Sequence, residues 1–268
     1  MKTNTKYIIF LAATALLAGA CGPTTDQTGI ESDTADSLAW NIDFKEIKAQ
    51  EEGCSGDQCT HVSLQIPILS GGDSVATDEI NQQTEGEIRE MIKARLPEPM
   101  AMGTWESLAE SFIEGYSMFA MEFPDNPGRW YIELDSEESE ITDSYFTLQL
   151  KVSEFMGGAH PSTYTLLKSY NLTTGDEVDI TAVVDTTALR IEAEKRFREA
   201  HDLAENALLN DGGFMFPDGR FILPENMGIT KDGVLLIYNA YEVASYAEGQ
   251  TVFTIPFSAL QSEQAAAN

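Results

Sequence analysis

The chain has 268 residues, enough for one large core or two smaller ones, and sets 16 Lys+Arg against 44 Asp+Glu, a formal net charge of −28. So acidic a surface repels phosphate backbones and anionic headgroups, which excludes nucleic acid as a natural partner. It suits a basic protein partner, or solubility in a salty or extracellular medium.

At the N-terminus, Lys2 and Lys6 precede the apolar run YIIFLAATALLAGA, which is shorter than the roughly 20 residues of a comfortable membrane span. The run stops at Cys21 in LLAGAC, and polar GPTTDQTG follows. Small residues directly before a cysteine predict a lipoprotein signal over 1–20, cleaved before Cys21, whose thiol is acylated. Ala18 stands where leucine is commonest, and an ordinary secretory signal is the alternative. Residues 21–37 lack an apolar period and read as a flexible tether. With Cys21 acylated, Cys54 and Cys59 in CSGDQC remain. No second Cys or His pair stands at a zinc-ligand spacing, so a small disulfide loop in an oxidising compartment is expected.

The folded part begins near Leu38. Val62, Leu64, Ile66 and Ile68 alternate as in a half-buried strand. Ile80, Ile88, Met91, Ile92 and Leu96 mark a helix stopped by Pro97 and Pro99. Trp105, Leu108, Phe112, Tyr116 and Phe119 mark a second helix. Strands follow in RWYIELDS and SYFTLQLKVSEF, the latter with Thr147, Gln149, Lys151 and Ser153 on its polar face. Between them EESEITD reads as a hairpin turn with Glu137, Glu138 and Glu140 solvated. TYTLLKSYNLTTG is another strand. A long helix is predicted from about Thr186 to Leu209, with Leu189, Ala193, Phe197, Ala200, Ala204 and Leu208 inward. Strands near 233–239 and 251–256 end the folded part near Leu260, and residues 261–268 form a tail with nothing to bury. Strands and helices without regular alternation predict an α+β fold, with antiparallel sheets covered by helices.

No G-x-S-x-G elbow, H-E-x-x-H helix, phosphate loop or dinucleotide fingerprint occurs. DNPG, NDGG and PDG lack the alternating oxygen ligands of a calcium loop and read as turns. His61 and His201 have no partner at ligand spacing and read as structural. No metal or other cofactor is expected. His160 lies in EFMGGAHPST, between two strands. Gly157 and Gly158 permit positive φ there and Pro161 fixes the exit, so His160 is expected to lock a loop through its ring nitrogens.

GGAHP, SYNLTTGDEVDI and YNAYEVASYAEGQTVFTIPFSAL together resemble the RsiV-like family, whose extracytoplasmic domains occur in a lysozyme-sensing anti-sigma factor, before the catalytic domain of PdaC-type peptidoglycan deacetylases, and in bacterial lipoproteins. The resemblance implies two α+β domains, a PdaC-like one over 38–160 and an RsiV-like one over 161–260. The family motif Y-x-P-Y-E-I-A-P-Y-A-x-G is matched at Tyr238, Tyr241, Glu242, Tyr246, Ala247 and Gly249, while Ala240 and Ser245 replace its two prolines. In the lysozyme sensor this region reaches toward the enzyme's cleft, so the resemblance points to Tyr241, Glu242 and Tyr246 as binding residues.

Neither a transmembrane helix nor a deacetylase domain with metal ligands is visible. The expectation is a non-enzymatic lipoprotein outside the cytoplasm, held to the membrane only by its lipid and in the outer membrane if the cell has one. It would bind a lysozyme-like muramidase or a peptidoglycan fragment. The alternative is an enzyme acting on envelope glycans, whose carboxylates a sequence cannot locate because they pair in space.

Overall fold

The computed structural model describes residues 39–56, 58–96, 103–125 and 128–260. The expected signal peptide, Cys21, the tether and the tail lie outside the described residues.

Strands β1 (Asn41–Gln50) and β2 (His61–Ser70) form an antiparallel hairpin, and Cys54 is disulfide-bonded to Cys59 in its connection, with Cα atoms 5.7 Å apart. Helix α1 (Ser74–Lys93) starts at Asp73, whose carboxylate accepts from the amides of Val75 and Ala76. This satisfies donors that have no partner within the helix. Helix α2 (Trp105–Glu122) is capped in the same way by Thr104. The chain then enters β3 (Tyr131–Asp135), the short β4 (Glu140–Ile141), β5 (Tyr145–Phe155) and β6 (Ser162–Asn171).

These strands make one sheet ordered β1-β2-β3-β5-β4, with β6 also paired to β5. Antiparallel sheets were the expectation, but β2 and β3 run parallel, so this sheet is mixed. Its two helices make the difference, because α1 and α2 carry the chain back across the sheet before β3, and only such a crossover permits parallel neighbours. The same helices bury Ile80, Ile88, Leu108 and Phe112 against Leu64, Leu148 and Leu150.

The C-terminal region holds helices α3 (Ile180–Val183) and α4 (Thr186–Ala200) and a three-stranded antiparallel sheet of β7 (Met227–Thr230), β8 (Gly233–Tyr238) and β9 (Thr251–Ile255). A second core surrounds Phe197 on α4, whose ring meets those of Phe214, Phe216, Phe221 and Tyr238 at centroid distances of 4.9–5.9 Å. Little helix accompanies this sheet, because α4 ends well before Leu209. Asp202 takes a φ of 53° and Arg198 donates to the carbonyls of Ala204 and Ala207, turning the chain away. Ala200, Ala204 and Leu208 are consequently exposed, not inward.

In the acidic turn Glu137 and Glu138 are exposed as expected, and only Glu140, half-buried, differs. Glu138 accepts from Gln149 and Lys151, and Glu140 lies in β4 and accepts from the amide of Lys231. On the polar face of β5, Thr147 and Gln149 are buried. Strand β7 lies over that face, where Thr147 Oγ1 bonds the carbonyl of Ile229 at 2.5 Å and Ser169 Oγ accepts from the Ile229 amide at 2.9 Å. A Cβ on Gly228 would lie 2.9 Å from the Thr147 methyl, so only glycine lets β7 approach so closely.

Candidate binding surface

The β5–β6 connection turns on Gly157 and Gly158, at φ 98° and 113°. Neither would meet an obstacle with a Cβ, so both are required for backbone conformation and not for space. His160 follows at the surface. Its Nδ1 lies 2.9 Å from the Pro161 carbonyl oxygen and its Nε2 3.2 Å from the Tyr241 hydroxyl. A carbonyl only accepts, so Nδ1 carries a proton and donates to it, and Nε2 meets the Tyr241 hydroxyl, which can serve as donor or acceptor.

Tyr241 sits in the turn after β8. Its amide donates to the Ala244 carbonyl, and the Glu242 amide donates to that of Asn239. The turn holds Tyr241 at φ 71°, a left-handed conformation that L side chains seldom adopt, and leaves it 60% exposed. Tyr246 opens a short 3-10 turn, Tyr246–Glu248. The His160 and Tyr246 rings stack with centroids 3.8 Å apart and an interplanar angle of 21°. Tyr241 lies 5.8 Å from Tyr246 at 30°. Three nearly parallel rings from two distant segments thus form one patch.

Glu242, next along, accepts from the Asn239 amide at 2.9 Å through Oε2. Desolvation on its inner side pushes its carboxyl above the ordinary glutamate range; the Asn239 bond opposes this and the Glu225 charge adds to it.

The patch borders the free edge of β6, where side-chain amides take the place of a neighbouring strand. Asn226 accepts from the Leu167 amide at 2.7 Å and donates to the Thr165 carbonyl at 2.8 Å. Asn239 accepts from the Thr165 amide at 2.8 Å and donates to its carbonyl at 3.1 Å. Gln250 donates to Asn239 Oδ1 at 2.7 Å. Both Thr165 and Leu167 are buried, so their peptide groups need these partners. At the start of the β5–β6 loop, Arg95 grips Glu154 with two bonds of 2.7 and 2.8 Å and reaches the Tyr164 hydroxyl at 3.2 Å. This fork ties the end of α1 to both strands; the Glu154 bond chiefly raises the Arg95 pKa, with desolvation opposing it.

Of the residues singled out in the sequence, His160, Tyr241 and Tyr246 come together, with Glu242 beside them. Cys54 and Cys59 lie elsewhere, in the β1–β2 connection. His61 bonds the Cys59 carbonyl and Glu133, and His201 bonds Thr251. Among the described residues, no group of three or more His, Cys, Asp or Glu is arranged to hold a metal, and no helix is long and apolar enough to cross a membrane. Asn226, Asn239 and Gln250 give no sequence signal, since an amide acting as a strand surrogate leaves no periodic signature, and Arg95 gives none because its partner Glu154 is distant in the chain.

Two family profiles match the chain. Residues 54–163 match "Deacetylase PdaC" and residues 179–258 match "Protein of unknown function (DUF3298)". No curated protein matches by sequence. A crystallised DUF3298 family member from Bacteroides fragilis is 17% identical, with a TM-score of 0.56 over 83% of this chain and 92% of its own. A DUF3298 family protein from Pseudomonas aeruginosa is 19% identical, with a TM-score of 0.54 over 84% and 94%. At these identities the likeness extends to the fold. With a PdaC segment followed by a DUF3298 segment, the chain belongs to the DUF3298/PdaC family.

Proposed function

We propose that this protein is a non-enzymatic binding module of the cell envelope, anchored through Cys21, and that it engages a lysozyme-like muramidase through His160, Tyr241 and Tyr246. The observation that carries the reading is Tyr241. An aromatic residue held at positive φ and 60% exposed costs folding energy without supplying core packing, as strained functional positions do. Flat rings give large contact area with few rotors to freeze. The net charge of −28 suits a basic partner and mainly speeds encounter.

The test is a pull-down of the mature protein against a panel of lysozymes and peptidoglycan fragments, with Tyr241→Ala as the control. Retention of a lysozyme by wild type and its loss in Tyr241→Ala supports the reading. Hydrolysis or deacetylation of the fragments would replace it with an enzymatic one. The anchor is tested separately, since Cys21→Ser should release the protein from the membrane fraction.

A further inference from the structure

Beside the aromatic patch, a groove of about 900 Å³ runs along the outer edge of β6, from Tyr164 to Ser169. Six residues of strand span about 17 Å. Its far wall comes from the chain segments before α3 and before β7, and Ile222, Leu223 and Met227 contribute apolar surface. Four carboxylates line it, Glu177, Asp179, Glu225 and Glu242, against a single cation, Lys168. Lys168 is already engaged, 2.7 Å from Glu177 and 3.7 Å from Glu87, and Asp179 caps α3. Among the described residues Glu225 and Glu242 form no ion pair, and the Glu225 charge helps to raise the Glu242 pKa.

We infer that this groove binds an extended peptide segment in which basic and apolar residues alternate. An extended chain points successive side chains to opposite faces. Aliphatic groups at every second position would then lie on Ile222, Leu223 and Met227 while the intervening ammonium groups meet Glu225 and Glu242. Asn226 and Asn239 already occupy the β6 peptide groups at Thr165 and Leu167. Recognition therefore runs through side chains and not through addition of a strand. The inference does not depend on the aromatic patch being a binding surface.

The probe is a fluorescently labelled acetyl-Lys-Val-Lys-Val-Lys-Val-amide, titrated with the protein at about physiological ionic strength, where exposed charges beyond roughly 8 Å are screened. A Lys-Lys-Lys-Val-Val-Val peptide of identical composition is the comparison. The alternating peptide should bind saturably and about tenfold more tightly than the block peptide. Glu225→Lys should weaken it about tenfold and Glu225→Gln less. Glu205→Lys, the same charge change at an exposed position after α4, should leave it within about twofold. Tyr241→Ala should keep the affinity, separating this site from the aromatic patch. Absence of saturable binding, equal losses in Glu225→Lys and Glu205→Lys, or loss in Tyr241→Ala would each overturn the inference.

Discussion

The imidazole of His160 stacks on the ring of Tyr246, with centroids 3.8 Å apart. One ring comes from the connection of the first sheet and the other from the turn before β9, so the contact joins the two halves of the chain at the surface. With His160 exposed, the contact contributes little to stability. His160→Ala should lower the unfolding free energy by no more than about 1 kcal/mol, within the usual worth of an aromatic pair. Denaturant titration checks this; a loss of about 2–3 kcal/mol, in the upper part of the range for a buried unpaired group, would show the histidine to be a structural lock.

Tyr241 is held at φ 71°. Glycine adopts that conformation without a Cβ penalty, although it has more freedom to lose on folding. Tyr241→Gly should therefore leave stability unchanged or raise it by up to about 1 kcal/mol, while removing the ring from the patch. A marked fall in melting temperature would mean that the ring is needed by the fold.

Asn226 bridges the Thr165 carbonyl and the Leu167 amide. Asn226→Ala should cost about 1–3 kcal/mol, since it leaves the buried Leu167 amide without a partner while the Thr165 carbonyl keeps Asn239. It would also uncover a strand edge, and edges promote association. Chemical denaturation combined with light scattering checks both effects. A stable, monodisperse variant would show the amide to be dispensable.

Desolvation raises the Glu242 pKa, so the folded state holds this proton more tightly than the unfolded chain does. Stability from this group is present below the ordinary glutamate value and is lost as pH rises through the folded pKa. Glu242→Gln keeps an oxygen for the Asn239 amide and never ionises. The variant should be more stable than wild type near pH 7 and lose that advantage near pH 4. Paired melting curves at the two pH values check the sign; a variant less stable at neutral pH would reverse it.

The strands and helices that build the first core were legible because Leu64, Leu148 and Leu150 alternate, and Leu108 and Phe112 recur, with clear periods. β1 was missed because NIDFKEIKAQ is an edge strand with one buried residue, Ile47, and so presents almost no alternation. β7 escaped for a different reason, being only four residues long. Thr147 and Gln149 read as solvent-facing because polarity alone does not distinguish water from protein partners, here Ser169 and the Ile229 carbonyl for Thr147 and Glu138 for Gln149. His160, Tyr241, Glu242 and Tyr246 are each visible as unusual residues, but their meeting depends on how β7 packs on β5 and β6, which no local pattern encodes.

His160, Tyr241 and Tyr246 are proposed to form a surface for a basic lysozyme-like partner. Calorimetric titration of a muramidase into wild type and into the Tyr241→Ala and Tyr246→Ala variants, each folded by its melting curve, tests it most directly. Saturable binding to wild type is expected, with a loss of at least about 2 kcal/mol, roughly thirtyfold, in each variant. Unchanged affinity in both folded variants, or no binding to wild type, would contradict it.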